Sequence, residues 1–141
     1  ILEGARTILV GTPIYFYGPT AQLKILIDRC QALWHRRRAE GAATTTPSRA
    51  GYLIAVGATS GKQLFTGARL TVKYFLNALA MRYEDGLLIR GVEQRGAISR
   101  HPAILSKARQ LGQRCALSPE DGADPPPLQN RTFDIKRNQD E

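Results

Sequence analysis

The order of apolar and polar residues predicts three strands in the chain. Two short runs are continuously apolar, at residues 8–10 and 52–56. A continuous run of this length is typical of a parallel strand that is covered by helices on both faces, so strands are predicted over residues 7–15 and 51–56. A weaker third strand is predicted over residues 82–89, with its apolar residues at the end.

Between and after these strands, apolar residues recur at steps of three and four, the period of an amphipathic helix. The first helix is predicted from Thr20, a suitable cap, to about Arg38, the second over residues 65–81, and the third from about Pro102. The second carries an apolar stripe of Ala68, Val72, Phe75, Leu76 and Leu79. Strands that alternate with helices predict an α/β fold with a parallel sheet and right-handed crossovers.

Composition divides the chain into one folded domain and a tail. A chain of 141 residues with 43% hydrophobic content can bury one core. From Pro119 onward there are six acidic and three basic residues, and three consecutive prolines. We therefore predict a domain over residues 1–118 and an acidic, proline-containing disordered tail over residues 119–141. Subtracting this tail from the whole-chain charge of +8 leaves +11 on residues 1–118.

Some classes of protein are not expected. No run approaches the roughly 20 apolar residues of a membrane helix, and the start does not resemble a secretory signal, so we expect a soluble, cytoplasmic protein without a membrane partner. The chain begins at Ile1 rather than Met, which suggests a fragment. Cys30 and Cys115 lack the spacing of a metal or redox motif and are interpreted as buried free thiols. His35 and His101 have no nearby ligand-type residue, so no metal site is predicted.

Two glycine-containing loops, the first loop (residues 11–18) and the second loop (residues 57–63), follow the first two strands. Parallel strands end at one edge of a sheet, so the loops should be neighbours. Glycines allow backbone amides to approach a ligand, and Tyr15, Phe16 or Tyr17 can lie against a planar ring. A flavin, flat and edged by polar atoms, needs both features. The alternative is that Tyr15 and Phe16 are core side chains at a strand end.

Residues 12–18, Thr-Pro-Ile-Tyr-Phe-Tyr-Gly, and the helix start Thr-Ala-Gln-Leu-Lys at 20–24 resemble the flavin loop and third helix of flavodoxin-like FMN proteins. The resemblance is strongest to the NADPH-dependent FMN reductase and iron–sulfur flavoprotein group, and it covers about residues 4–116. It implies a flavodoxin-like open parallel sheet with flanking helices, of which the chain has only the carboxyl-terminal three strand–helix units. The FMN phosphate loop and the cysteine cluster of the group lie in the missing part, so no iron–sulfur cluster is expected.

The resemblance also implies the site and the chemistry. The flavin ring would be lined by Thr12, Pro13, Ile14, Tyr15, Phe16 and Gly18 on one side, and by Gly57, Ala58, Thr59 and Gly61 on the other. The implied activity is that of an FMN-dependent oxidoreductase, with NADPH or NADH as electron donor and a quinone, free flavin, metal ion or protein as acceptor. The flavin carries this chemistry, so no side chain is assigned as catalytic.

Two alternatives stay open. The charge of +11 on residues 1–118 suits a domain that binds nucleic acid or another polyanion. However, the basic residues are scattered and form no known reading module, so a nucleic-acid partner is not the prediction. The chain could also be a non-catalytic fragment of a split flavoprotein. Without a preceding strand, the strand at residues 7–15 becomes a sheet edge, and we expect the chain to form a homo-oligomer, to need the missing segment or to be poorly stable.

Overall fold

Strands β1 (Thr7–Pro13) and β2 (Ala50–Gly57) form the longest ladder of the sheet. The computed structural model describes residues 1–41, 49–84, 86–116 and 131–134. In it, β1 and β2 are parallel and stay in register over seven residue pairs, from Thr7 with Ala50 to Pro13 with Val56. Both predicted strands are therefore confirmed, and both end at the same side of the sheet, called here the carboxyl edge.

Three shorter strands complete a parallel sheet in the order β1-β2-β4-β5. The predicted third strand is split into β3 (Arg82–Tyr83) and β4 (Leu87–Arg90), which both pair with β2. The split falls next to Gly86, where an added Cβ would overlap the backbone carbonyl of Leu53. Strand β5 (Arg131–Asp134) pairs in parallel with β4. The predicted open parallel α/β sheet is confirmed.

The strand β5 corrects the prediction for the end of the chain. Residues 119–141 were predicted to be a disordered tail, which is wrong for Arg131–Asp134. The physical reason is that β5 pairs with the open edge of β4, while Phe133 packs against the buried cluster that contains Leu111. The Nζ of Lys107 on the neighbouring helix also lies 3.9 Å from the centre of the Phe133 ring. The rest of the predicted tail, and its boundary at residue 118, lie outside the described residues.

Alternate side chains of the strands point to opposite faces of the sheet, and each face has its own core. Val10, Leu53 and Ala55 face helices α1 (Ala21–Arg29), α2 (Gln31–Ala39) and α3 (Thr66–Ala78). Tyr52 faces helix α4 (Pro102–Ala116), whose Leu111 is fully buried beside it. Because both faces of β2 are covered, its apolar run is continuous rather than alternating.

The apolar stripe predicted for the second helix is buried in full: Ala68, Val72, Phe75, Leu76 and Leu79. Helix α3 nevertheless ends at Ala78, earlier than the predicted residue 81. The N–H of Met81 donates to the carbonyl of Leu76 at 2.9 Å, and Ala80 has a φ of 57°. This is a Schellman termination with alanine in the left-handed position that glycine usually fills.

The first predicted helix is interrupted at Cys30. The N–H of this residue donates to both Leu26 O and Ile27 O, at 3.2 and 3.0 Å, so the turn tightens locally between α1 and α2. Thr20 caps α1 as predicted, since its Oγ1 accepts a hydrogen bond from Leu23 N at 3.4 Å. None of the helices in the described ranges is long and apolar enough to cross a bilayer.

Strand β1 forms one edge of the described sheet, as predicted. Its residues pair with β2 on one side, and no other described strand lies on the other side. The side chain of Leu9 is 48% exposed, although it sits in the middle of the strand. An apolar strand with an unpaired edge is a template for pairing with another strand.

Arg49 ties three segments together at the opposite edge of the sheet, where the strands begin. Its guanidinium donates three hydrogen bonds to backbone carbonyls: Nε to Ala5 at 2.9 Å, Nη1 to Leu79 at 2.6 Å and Nη2 to Leu2 at 2.8 Å. Partial burial, with a smaller effect of the Arg37 charge, lowers the pKa of Arg49. One planar cation thus fixes the segment before β1 and the end of α3 against the start of β2.

We predict that Arg49→Met lowers the free energy of unfolding by at least about 2 kcal/mol, because three partly buried carbonyls lose a charged donor. Urea unfolding followed by circular dichroism measures this. The control is Lys24→Gln, which breaks the exposed pair between Lys24 Nζ and Asp28 Oδ1, 2.7 Å apart, and should cost about 0.3–0.5 kcal/mol. Equal losses for the two variants would contradict the role given to Arg49.

Candidate functional site

The first and second loops leave the sheet side by side at its carboxyl edge. Pro13 is paired with Val56 in the parallel register, and the N–H of Ile14 then donates to Val56 O at 2.8 Å. The ladder therefore continues one residue past β1 and carries the start of the first loop along β2. The prediction that the two loops are neighbours is confirmed.

A tight hairpin turn shapes the tip of the first loop. Tyr15 and Gly18 exchange two backbone hydrogen bonds, of 3.1 and 3.0 Å, around a two-residue turn. Both turn residues are left-handed, with φ values of 49° at Phe16 and 63° at Tyr17. Left-handed backbone at both positions is the hallmark of a type I′ turn, which usually carries asparagine and glycine. Two aromatic residues here store strain of about 1–2 kcal/mol each.

The strained turn holds its aromatic rings in solvent. The Phe16 side chain is fully exposed, and Tyr15 is 63% exposed. This excludes the alternative in which Tyr15 and Phe16 are core side chains at a strand end. Of the neighbouring predicted residues, Ile14 is buried in the core below the loop, Pro13 is exposed, and Gly18 closes the turn.

Thr12 is buried and uses its hydroxyl group within the chain. Its Oγ1 donates to the carbonyl of Pro13 at 2.8 Å and accepts from the N–H of Thr20 at 3.3 Å. This hydroxyl therefore joins the end of β1 to the cap of α1. Thr12 holds the first loop at both of its ends, whereas its predicted direct contact with a flavin stays a prediction.

In the second loop, Gly57 is buried beneath Leu64, and its carbonyl accepts from Val92 N at 3.2 Å. Ala58 is half-buried and Thr59 is exposed. Among described backbone groups, the N–H groups of residues 58–61 have no hydrogen-bond acceptor. These donors are therefore left for solvent or a ligand, as the resemblance requires of one wall of a flavin slot.

Tyr17 brings the two loops into contact. A methyl group added at Gly61 would lie 3.2 Å from the Tyr17 Oη, and one added at Gly67, in the first turn of α3, would lie 2.6 Å from the Tyr17 carbonyl oxygen. The hairpin tip therefore rests on the second loop and on the start of α3. The sequence prediction named Tyr17 only as a possible partner of a planar ring and did not include Gly67, since neither contact can be inferred from periodicity.

Arg90 is a further residue that the sequence prediction missed. It is the last residue of β4, and its Nη2 donates to the carbonyl of Lys62 in the second loop at 2.8 Å. Its guanidinium lies 5.7 Å from the centre of the Phe65 ring. The available signal was its position, because Arg90 directly follows the third predicted strand (residues 82–89), as Gly57 directly follows the second.

The charges around the loops favour an anionic ligand. The two loops contain one charged side chain, Lys62, and no acid, and Arg90 adds a second cation beside them.

Burial raises the pKa of the Cys30 and Cys115 thiols, which are both free. Cys30 is buried, as predicted, whereas Cys115 is half-buried. No cluster of three or more potential metal ligands occurs within the described ranges.

Parallel strand order, helices on both faces and a loop pair at the carboxyl edge define a flavodoxin-like α/β fold. A solved structure of a flavone reductase has this fold, with a TM-score of 0.54 and 15% identity over 81% of this chain and 42% of that chain. The sequence profile of the NADPH-dependent FMN reductase family matches residues 1–81. The chain belongs to that family.

Another solved structure, a WrbA-like flavodoxin from Agrobacterium tumefaciens, gives a TM-score of 0.48 and 15% identity over 81% of this chain and 70% of that chain. A comparison with curated protein sequences found no match. The chain spans less than half the length of the flavone reductase.

We predict that Gly67→Ala destabilises the protein by about 1 kcal/mol or more, because the new methyl group collides with the Tyr17 carbonyl. The matched control is Gly112→Ala in α4, where nothing lies within 4 Å of the added Cβ and the gain in helix propensity should stabilise by about 0.5–1 kcal/mol. Urea unfolding of both variants gives the comparison. Stabilisation by both substitutions would show that the hairpin tip does not rest on α3.

Proposed function

We propose that the first and second loops hold the isoalloxazine ring of FMN and that the chain is part of an FMN-dependent oxidoreductase. The observation that carries the proposal is the strained hairpin, which presents exposed rings beside a loop with free N–H groups. Strained backbone lowers the stability of the fold and is concentrated at ligand sites, and exposed aromatic rings gain contact energy when a ligand covers them. Family membership supports the choice of FMN as that ligand.

The residues present fit a planar ring with polar edges. Tyr15 and Phe16 offer aromatic faces, while Ala58, Thr59 and Gly61 offer a wall of free backbone donors and Gly57 is the buried base of that wall. Residues 12–14 and Gly18 fix the hairpin against the sheet. The redox chemistry of such a site belongs to the flavin, and the chain binds it, orients it and places positive charge nearby.

The proposal extends to the reaction of the whole protein. The electron donor is NADPH or NADH, and the acceptor is a quinone, free flavin, metal ion or protein. The family description supports NADPH as donor. No residue of this chain is assigned a proton-transfer role, because solvent can supply the protons that reduction of the acceptor takes up.

We predict that the purified chain binds FMN, with quenched flavin fluorescence and shifted visible absorbance bands. Tyr15→Ser should weaken binding about tenfold, since an aromatic contact is worth about 1.4 kcal/mol at such a site. The control is Tyr74→Ser on α3, because Tyr74 is 66% exposed, close to the 63% of Tyr15. This control should leave the affinity unchanged.

A different result would favour the polyanion-binding alternative. The flavin proposal is wrong if the protein does not change the fluorescence and absorbance of FMN while labelled oligonucleotides bind to the protein in a salt-sensitive manner. The charge of +11 on residues 1–118 is the observation that supports this second candidate.

We also propose that the protein forms a homo-oligomer through the open edge of β1. Support comes from the unpaired side of β1 within the described sheet and from the exposure of Leu9. Pairing with a second copy would satisfy the free backbone groups and cover the apolar side chain.

Sedimentation at several protein concentrations tests the oligomer. We predict concentration-dependent association that Leu9→Lys weakens, because a charged side chain blocks pairing at a strand edge. Leu70→Lys on α3 is the control, since Leu70 is 52% exposed and Leu9 is 48% exposed. A monomer at all concentrations, or equal effects of the two variants, would contradict association through β1.

A further inference from the structure

Arg90 reaches across the second loop from its beginning to its end. In the parallel register it is the partner of Gly57, where the second loop starts. Its Nη2 donates to the carbonyl of Lys62 at 2.8 Å, near the end of the loop, and its guanidinium lies 5.7 Å from the centre of the Phe65 ring, just before α3. A hydrogen bond and a cation–π contact on one side chain thus join β4 to the far end of the loop.

The backbone of the second loop supplies little of its own order. At the start of the loop, the carbonyl of Gly57 accepts a hydrogen bond from the N–H of Val92. At the end of the loop, the N–H of Leu64 donates to the carbonyl of Gly61 at 3.1 Å and closes a turn. Between these points, residues 58–60 make no backbone hydrogen bond as donors to any described group. The conformation of this middle part therefore depends on how firmly the end of the loop is held, and Arg90 is the side chain that holds Lys62.

The position of Arg90 also has a cost. Its Nε is buried and has no hydrogen-bond partner among the described residues. A buried donor without a partner opposes folding, so the side chain is not placed there by packing alone. The contacts that Arg90 does make are with a neutral carbonyl and a ring face, which leave its positive charge uncompensated by these partners.

We propose that Arg90 is a positioning residue that preorganises the second loop for the flavin ring. The inference rests on the proposed function, because it takes the second loop as one wall of the FMN slot. A loop that is already ordered loses less entropy when the ligand binds. The contacts of Arg90 therefore raise the affinity although Arg90 does not contact the ligand.

The test is Arg90→Met, which keeps an unbranched apolar stem but removes the donors and the charge. Hydrogen exchange of the chain without FMN should become at least about tenfold faster for the amides of Leu64 and Thr66, whose hydrogen bonds to loop carbonyls close the end of the second loop, with β1 and β2 unchanged. The dissociation constant for FMN should rise about tenfold. Arg90→Lys keeps the charge and one donor and should restore part of both losses.

Arg114→Met is the matched control. The Nε of Arg114 is also buried without a partner among the described residues, but this residue lies on α4. The substitution removes the same net charge from the chain. It should leave both the exchange of the second loop and the affinity for FMN near their original values.

The outcomes separate the two proposals. Unchanged exchange of the Leu64 and Thr66 amides in Arg90→Met overturns the inference whether or not FMN binds. Faster exchange of the loop with no FMN binding by the unsubstituted chain overturns the proposed function, and with it the role of Arg90 in a flavin site. If Arg90→Met does not fold, exchange in Arg90→Lys decides, because this variant loses the planar fork but keeps a cation, and no acceleration there overturns the inference.

Discussion

The parallel ladder between β1 and β2 is the constraint on which the rest of the structure depends. Seven residue pairs in one register make both strands end at the same edge, and the hydrogen bond from Ile14 to Val56 extends the match into the first loop. A shift of β1 by one residue would turn Val10 away from the core that it shares with Leu53. The same burial that fixes the register therefore also fixes the distance between the loops.

The strained backbone of the first loop is held in place by the segments on which it packs. Thr12 ties the first loop to the cap of α1, and Ile14 anchors it in the core. At the opposite edge, Arg49 binds three carbonyls and holds the segment before β1 and the end of α3 against the start of β2. Left-handed backbone at two consecutive aromatic residues can persist in such surroundings because the flanking segments cannot relax.

Much of this arrangement could be predicted from the sequence, because hydrophobic period reports burial. The apolar runs gave the two long strands, and the stripe on α3 gave its buried face. Sequence periodicity could not show contacts between distant residues, such as Arg90 with Lys62, or the pairing of β5 with β4. It also missed the break at Cys30, since the apolar stripe continues through it. The type I′ turn was missed because Phe16 and Tyr17 are not its usual residues.

The close approach of Gly86 to β2 limits how this protein can evolve. Where a glycine is crowded by a side chain, a second mutation that makes this side chain smaller can create room for a Cβ at the glycine position. At Gly86 the obstacle is the Leu53 carbonyl, which every amino acid carries. No second-site suppressor at residue 53 can therefore rescue a side chain at this position, and glycine should be invariant there across related sequences.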